Sequence, residues 1–351
     1  MPQQQPLFIQ RWFTGNYPGG VFDKTPTPAI IGFEVFIVIA AIVAFFLFRK
    51  WVKNYPARFG VLAIGVFIFE MFTAPMWHNY HMGSWAYLYQ DQSWILTLGW
   101  TTLIITVVTA IDHFVSKASP FNRFGLYLLI LAPVVFAIQI LTVNIGIRTY
   151  SPEVLKSVCG VSVLGVPIEA LYYVPVFMTL VIGFYKYWGL VLDGVPVVPV
   201  KNTPWFRTFL ITFAAVFLFE LMIEPMVDNV GFPSWSYVYH DITIIMTGLW
   251  IVGIWLVVNL IDRRFIHWDL FHRFLLYLAA MAIVATPVEA WFIAHGYRVY
   301  GPSAQANFTG VKLVGTSVPI EVVFAIPMYM ALIIATIRVT EIAFSNKRLD
   351  A

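Results

Sequence analysis

The stretch Val166-Pro167-Ile168-Glu169-Ala170-Leu171-Tyr172-Tyr173-Val174-Pro175-Val176-Phe177 sets a carboxyl group inside an apolar run. It returns as Val318-Pro319-Ile320-Glu321-Val322-Val323-Phe324-Ala325-Ile326-Pro327-Met328-Tyr329. Both copies keep Pro-Ile-Glu, and both place a second proline six residues after the glutamate. A glutamate in a bilayer-spanning segment costs roughly a few kcal/mol even on lenient scales, and as a rule faces the protein interior or a water-filled cavity. Pro175 and Pro327 free the carbonyls of Leu171 and Val323, bending the helix beside each acid. The rest of the chain reads as a means of bringing such carboxyl groups together.

The composition makes this a membrane protein. Of 351 residues, 60% are hydrophobic and only 11% charged, with 17% aromatic, and the mean hydropathy is +0.79. Runs long enough to cross a hydrocarbon core of about 30 Å lie near 30–51, 59–77, 93–113, 124–146, 163–188, 206–227, 241–262, 272–295 and 316–342. The fold class expected is all-α and polytopic, with nine spans. Lys and Arg concentrate in the loops that face the cytoplasm if the N-terminus is outside and the C-terminus inside. Arg49, Lys50, Lys53, Arg58 and Lys117 belong to that set. A multi-pass cell-membrane protein in that orientation follows, and the net charge of +3 reflects topology, not nucleic-acid binding. The lone cysteine, Cys159, excludes an internal disulfide. The first 28 residues lack the pattern of a secretory signal and are expected to lie along the outer membrane surface.

A duplication organises the remainder. At a constant offset of 150, Glu70, Pro75, Asn79, Trp85 and Tyr87 recur as Glu220, Pro225, Asn229, Trp235 and Tyr237. Asp91, Asp112, Arg123, Tyr127, Arg148 and Tyr150 recur as Asp241, Asp262, Arg273, Tyr277, Arg298 and Tyr300. Two inserted residues then precede the second Pro-Ile-Glu. The units are residues 59–200 and 201–351, each with four spans, after an N-terminal surface segment and first span in residues 1–58. An even number of spans gives parallel repeats about an axis along the membrane normal. The first span, with Glu34, faintly echoes the last span of a unit.

Counting 1.5 Å per residue, Glu70, Glu169, Glu220 and Glu321 lie roughly 5–15 Å below the outer interface, and Glu34, Glu224 and Glu289 share that depth. An acidic cavity between the repeats, opening toward the outer leaflet, is the expectation. The connections after Glu70 and Glu220 carry Ser-Trp-x-Tyr-x-Tyr and an aspartate. Their Trp85, Tyr87, Trp235 and Tyr237 either anchor helices at the interface or line the mouth of the cavity with Asn79, Asn229, Asp91, Asp241, Tyr173 and Phe324 and stack on a guest.

A carboxylic acid kept from water holds its proton more tightly and can deliver it to an electron-rich double bond. Aromatic faces stabilise the resulting cation, and a second carboxylate removes the final proton. The plainer reading makes each glutamate a hydrogen-bonded link between helices. His78 and His81, three apart, are more simply polar groups at a helix end than metal ligands. Asp112 and Asp262 are expected as solvated helix ends, and Arg123, Arg273, Tyr127 and Tyr277 carry no assigned chemistry. No Gly-rich loop supports a flavin or nicotinamide domain.

Gly160-Val161-Ser162-Val163-Leu164-Gly165-Val166-Pro167-Ile168-Glu169 resembles the end of the membrane lycopene cyclase domain of the heterodimeric bacterial and fungal type. There a Gly and a short apolar stretch precede Pro-x-Glu-Glu. Glu70, Ser84-Trp85-Ala86-Tyr87-Leu88-Tyr89 and Trp100 are similar to a region of integral-membrane carotenoid hydratases. The likeness covers the last third of each unit and a patch of its start. Since Ala170 and Val322 replace the second acid, only Glu169 and Glu321 are carried over as the acid/base pair.

The resemblance and the residues together imply a cyclase or hydratase acting on a carotenoid or other isoprenoid polyene, without a cofactor. Glu169 and Glu321 would give and take the proton, and Glu70, Glu220, Glu224 and Glu289 would tune or share it. The alternatives are a proton-coupled transporter and a membrane subunit that binds lipid, quinone or pigment. The oligomeric state is left open.

Overall fold

The computed structural model describes residues 23–157, 161–194 and 204–345; the surface segment before residue 23 and Cys159 lie outside them. The helices in chain order are α1 (Pro28–Phe48), α2 (Tyr55–Phe72), α3 (Trp94–Phe114), α4 (Pro120–Asn144), α5 (Pro152–Ser157) and α6 (Ala170–Leu192). They continue as α7 (Trp205–Ile223), α8 (Ile244–Arg264), α9 (Leu270–Ala294), α10 (Pro302–Asn307) and α11 (Ile320–Ser345). All but α5 and α10 are long and apolar enough to cross a bilayer, nine among the described residues. The protein is an all-α polytopic membrane protein.

Local sequence fixes where several spans begin. Thr27 accepts a hydrogen bond from the Ile30 amide ahead of Pro28, Ser119 does the same for Asn122 ahead of Pro120, and Asp269 caps His272. Each satisfies an amide that the first turn leaves without a partner, and proline in that turn forfeits nothing.

Every helix of the first unit recurs in the second, while the hairpin of Ser162–Val163 with Val166–Pro167 is reduced there to a single bridge between Lys312 and Pro319. The centre of the bundle is the pair α6 and α11, the two helices that carry the opening stretch, flanked by α2 and α8's predecessor α7. Around this core α3 and α4 pack on one side and α8 and α9 on the other, while α1 lies against α3. A side chain at Gly183 of α6 would meet Thr336 of α11, its Cβ falling 2.9 Å from the Thr336 Cα. Glycine there lets two backbones approach closely where lipid supplies no hydrophobic drive.

The loops between spans form a cap at one end. Trp77–Asn79 pairs antiparallel with Arg148–Tyr150, and Val227–Asn229 with Arg298–Tyr300. The caps interlock, since α5 packs on the turn Glu224–Met226 of the second unit and α10 on the turn Ala74–Met76 of the first. Glu153 of α5 accepts hydrogen bonds from the amide and hydroxyl of Ser303, its counterpart in α10.

At the opposite end the structure corrects one expectation. Asp112 and Asp262 are not merely solvated helix ends, although Asp112 keeps 31% of its side chain exposed. Asp112 accepts from Tyr127, from Arg123 at 3.3 Å and from Lys186 at 2.5 Å, tying α3, α4 and α6 together. Asp262 does the same with Tyr277, Arg273 at 3.2 Å and Arg338 at 2.8 Å across α8, α9 and α11. The basic residues that start α4 and α9 therefore serve as knots. A carboxylate near lipid is held by pairing with whichever cation the neighbouring helix supplies.

Candidate functional site

Between α7, α8, α9 and α11 lies a chamber of about 750 Å³, within the ~300–1,000 Å³ common for small-molecule sites. Its deep wall is apolar and aromatic, with Val216, Phe219, Trp250, Ile254, Tyr329 and Ile333. Polar groups gather at the capped end, where Glu220, Glu289, Arg298, Tyr300 and Glu321 line it. The interlocked caps bring Ala74, Pro75, Tyr89 and Gln90 of the first unit to the mouth.

Each polar group has an identifiable support. Glu289, 2% exposed, accepts from Arg298 Nε at 3.1 Å and from the Tyr300 hydroxyl at 2.6 Å. Arg298 also donates to Asn229 Oδ1 at 2.8 Å. Glu220 accepts from the hydroxyl of Thr247, one helix away. Glu321 receives both the amide and the hydroxyl of Thr309 on Oε1, at 2.7 and 2.5 Å. Its Oε2 is buried with no hydrogen-bond partner among the described residues.

The same place in the first unit is a hollow of about 30 Å³. It keeps the scaffold, with Glu70 accepting from Thr97 at 2.5 Å and Arg148 donating to Asn79 Oδ1 at 3.2 and 3.1 Å. The filling differs. Tyr173 stands where the second unit has Ala325, and Trp77 where it has Val227. The Trp77 ring lies under the Arg148 guanidinium at 5.2 Å. Gln139 replaces Glu289 and accepts from Arg148 at 3.0 Å. The side is also latched, because the Tyr172 hydroxyl donates to the Leu221 carbonyl at 3.2 Å. Its counterpart Phe324 has no hydroxyl and is 60% exposed at the chamber's edge.

Electrostatics in the two caps diverge accordingly. Burial would lower Arg298, but Glu289 and its neighbours hold it above its usual value. Burial pulls Arg148 below its usual value, since the facing side chain is a neutral amide. Burial, then Glu289, raises the Tyr300 hydroxyl well above the ordinary range.

Of the residues singled out from sequence, Glu220, Glu289, Glu321 and Phe324 line the chamber, and Glu70 and Tyr173 line the small hollow. Glu169 lines neither and is buried beside Glu224 and Tyr172. Glu169 and Glu321 are thus not brought into one shared cavity. The chamber takes Glu321 together with Phe72 and Ala74 of the first unit, while Glu169 lies near Glu224 of the second. Glu34 accepts from the Gly83 amide at 3.0 Å and fastens α1 to the first cap.

Several cap residues spend their polar groups internally. Asp91 and Asp241 accept from the amides of Asn79 and Asn229 at 3.1 and 2.8 Å. Tyr87 and Tyr237 donate to the carbonyls of Asn79 and Asn229, both at 3.1 Å. Trp85 and Trp235 are 54% and 72% exposed and line neither hollow.

Arg298, Tyr300, Thr247 and Thr309 were absent from the sequence-derived set. Arg298 and Tyr300 stand out in the sequence as repeated positions, which marks the duplication and not a role. Thr97 and Thr247 also recur at offset 150, a signal for a partner to Glu70 and Glu220. No protein-family model, curated protein or solved structure matches the chain.

Proposed function

We propose that the second-unit chamber is the site of a cofactor-independent cyclase or hydratase that acts on an isoprenoid polyene. The observation that carries this reading is three carboxyl side chains, Glu220, Glu289 and Glu321, at one end of a chamber whose deep wall is aromatic and apolar. Glu289 is neutralised by Arg298, which leaves Glu321 and Glu220 as the pair for chemistry. An acid O–H adds its proton to one carbon of a double bond, and the cation forms on the other. Phe219, Trp250 and Tyr329 offer ring faces to that cation. A neighbouring double bond then closes a ring and the second carboxylate takes the departing proton, giving an isomer. Capture by water instead gives a hydrate.

The partial likeness to membrane lycopene cyclases and carotenoid hydratases points the same way. A carrier has less support, because the chamber lining stops at Ile254 and Ile333 while Asp112 and Asp262 are knotted beyond it. The test is to express the protein in cells loaded with candidate polyenes and weigh the extracted lipids. A new ring at unchanged mass, or a gain of water, is expected with the native chain and is lost in Glu321→Gln and Glu220→Gln. Full turnover in both variants would remove these side chains from the mechanism.

A further inference from the structure

The arginines of the two hollows are spent differently. Arg148 commits all three of its nitrogens to the protein, Nε and Nη2 to Asn79 and Nη1 to Gln139. Arg298 commits two, Nε to Glu289 and Nη1 to Asn229. Its Nη2 meets no acceptor among the described residues and keeps accessible surface in the chamber that the residue lines. Arg298 as a whole is 9% exposed, against 3% for Arg148. A guanidinium only donates, so Nη2 calls for an oxygen that accepts.

A second donor stands beside it. Tyr329 follows Pro327 by two residues, where the first unit has Phe177 after Pro175. Its ring is held against Phe219 at 5.1 Å and Trp250 at 6.2 Å. Side chains lean toward the N-terminus of their helix, which for α11 is the capped end, and Tyr329 interacts electrostatically there with Glu289, Arg298 and Glu220. Its hydroxyl has no hydrogen-bond partner among the described residues and also keeps accessible surface in the chamber. The small hollow offers neither donor, since Arg148 is fully bonded and Phe177 has no hydroxyl.

We infer that the occupant of the chamber carries a carbonyl oxygen, held by Arg298 Nη2 and the Tyr329 hydroxyl, on an isoprenoid chain that fills the apolar part. The two lone pairs of a carbonyl match the two donors. A pure hydrocarbon leaves both donors unmet. A hydroxyl oxygen accepts as well, but brings a proton that needs an acceptor of its own. A carboxylate would add a fourth carboxyl group beside Glu220, Glu289 and Glu321, where Arg298 is the one cation among the lining residues. This assignment rests on the chamber being the site for an isoprenoid, and names the polar group of that substrate.

Binding of three matched probes to the full chain in lipid nanodiscs tests it. They are phytone, a branched isoprenoid ketone, pristane, the hydrocarbon of the same shape, and pristanic acid. Tyr329→Phe copies Phe177, Glu289→Met/Arg298→Met removes the ion pair without leaving a lone charge, and Ala325→Tyr blocks the chamber. Phytone is expected to bind about 30-fold tighter than pristane, for one neutral and one charged hydrogen bond gained. Tyr329→Phe and the double variant should each cut that preference to about fivefold while pristane binds as before. The carbonyl stretch of bound phytone should lie below its position in hydrocarbon solvent and move back up in Tyr329→Phe, which a merely structural role would not produce. If the double variant fails to fold, Tyr329→Phe decides alone. Equal binding of phytone and pristane, both lost in Ala325→Tyr, overturns the carbonyl and leaves the chamber standing. A preference and a stretch that Tyr329→Phe does not move overturn the paired donors, and tighter binding of pristanic acid replaces the neutral group with an anion. Failure of all three to bind the native protein overturns the chamber reading itself.

Discussion

The two halves of the molecule share one scaffold and differ in what stands inside it. Both hold a glutamate bonded to a threonine on the next span, and both hold an arginine braced by an asparagine on a two-stranded ribbon. In the second half that frame surrounds about 750 Å³, and in the first about 30 Å³. Tyr173 for Ala325 and Trp77 for Val227 fill space, and Tyr172 for Phe324 supplies a latch. All three act in the same direction. The duplicated scaffold therefore encloses two hollows, and side-chain volume leaves one of them open.

The largest effect should come from closing the open half. Ala325→Tyr fills space that is already empty, so it should cost little stability, yet ligand binding should weaken by more than about 100-fold as the bulky ring excludes the guest. A titration of phytol paired with a thermal melt reads both, and undiminished binding would break the comparison.

Removing the buried arginine from each half separates an ion pair from a guanidinium bonded to neutral amides. Arg298→Met strands the Glu289 carboxylate and should cost about 3–5 kcal/mol. Arg148→Met strands the neutral amide oxygens of Gln139 and Asn79 and should cost about 1–3 kcal/mol. Unfolding free energies in detergent give the order, and equal losses would mean that Glu289 is not charged against Arg298.

A smaller difference lies in the pH response of the caps. Burial, then the nearby Asp228 carboxylate, holds Asp241 above the usual carboxylate range, even though the Asn229 amide bonds to it. A raised folded value means that the folded state binds more protons. Stability from this group is present below the unfolded value of ~3.9 and is lost as pH rises through the folded one. Asp241→Asn should flatten that part of the melting-temperature profile above pH ~4. An unchanged slope would show that the group does not titrate differently on folding.

The smallest effect expected is that of Phe324→Tyr, which offers the edge of the chamber the hydroxyl that Tyr172 uses on the other side. Entry of phytol should slow by a few-fold, about 1 kcal/mol for one added hydrogen bond. Stopped-flow quenching measures it, and a faster entry would argue against a latch.

Much of this was legible in the sequence. The spans follow from apolar runs, because lipid forces the backbone to satisfy itself within helices, and the duplication follows from a fixed offset. Which glutamates share a cavity was not legible. That depends on the interlock of α5 and α10 with the opposite unit's turns, a contact with no periodicity in the chain. Asp112 and Asp262 looked like ordinary helix ends because their partners Lys186 and Arg338 lie on distant spans. The exchange of Tyr173 for Ala325 was in plain view, but its meaning needed the ring's position beside Glu70 and Arg148.

The number of isoprenoid-alcohol molecules bound per chain is the most direct measure of one open and one closed hollow. Native mass spectrometry of the full chain with phytol should count one for the native protein and two for Trp77→Val/Tyr173→Ala, in which the two rings that fill the first hollow give way to the smaller residues of the second. Two ligands on the native chain, or one that persists after Ala325→Tyr, would contradict it.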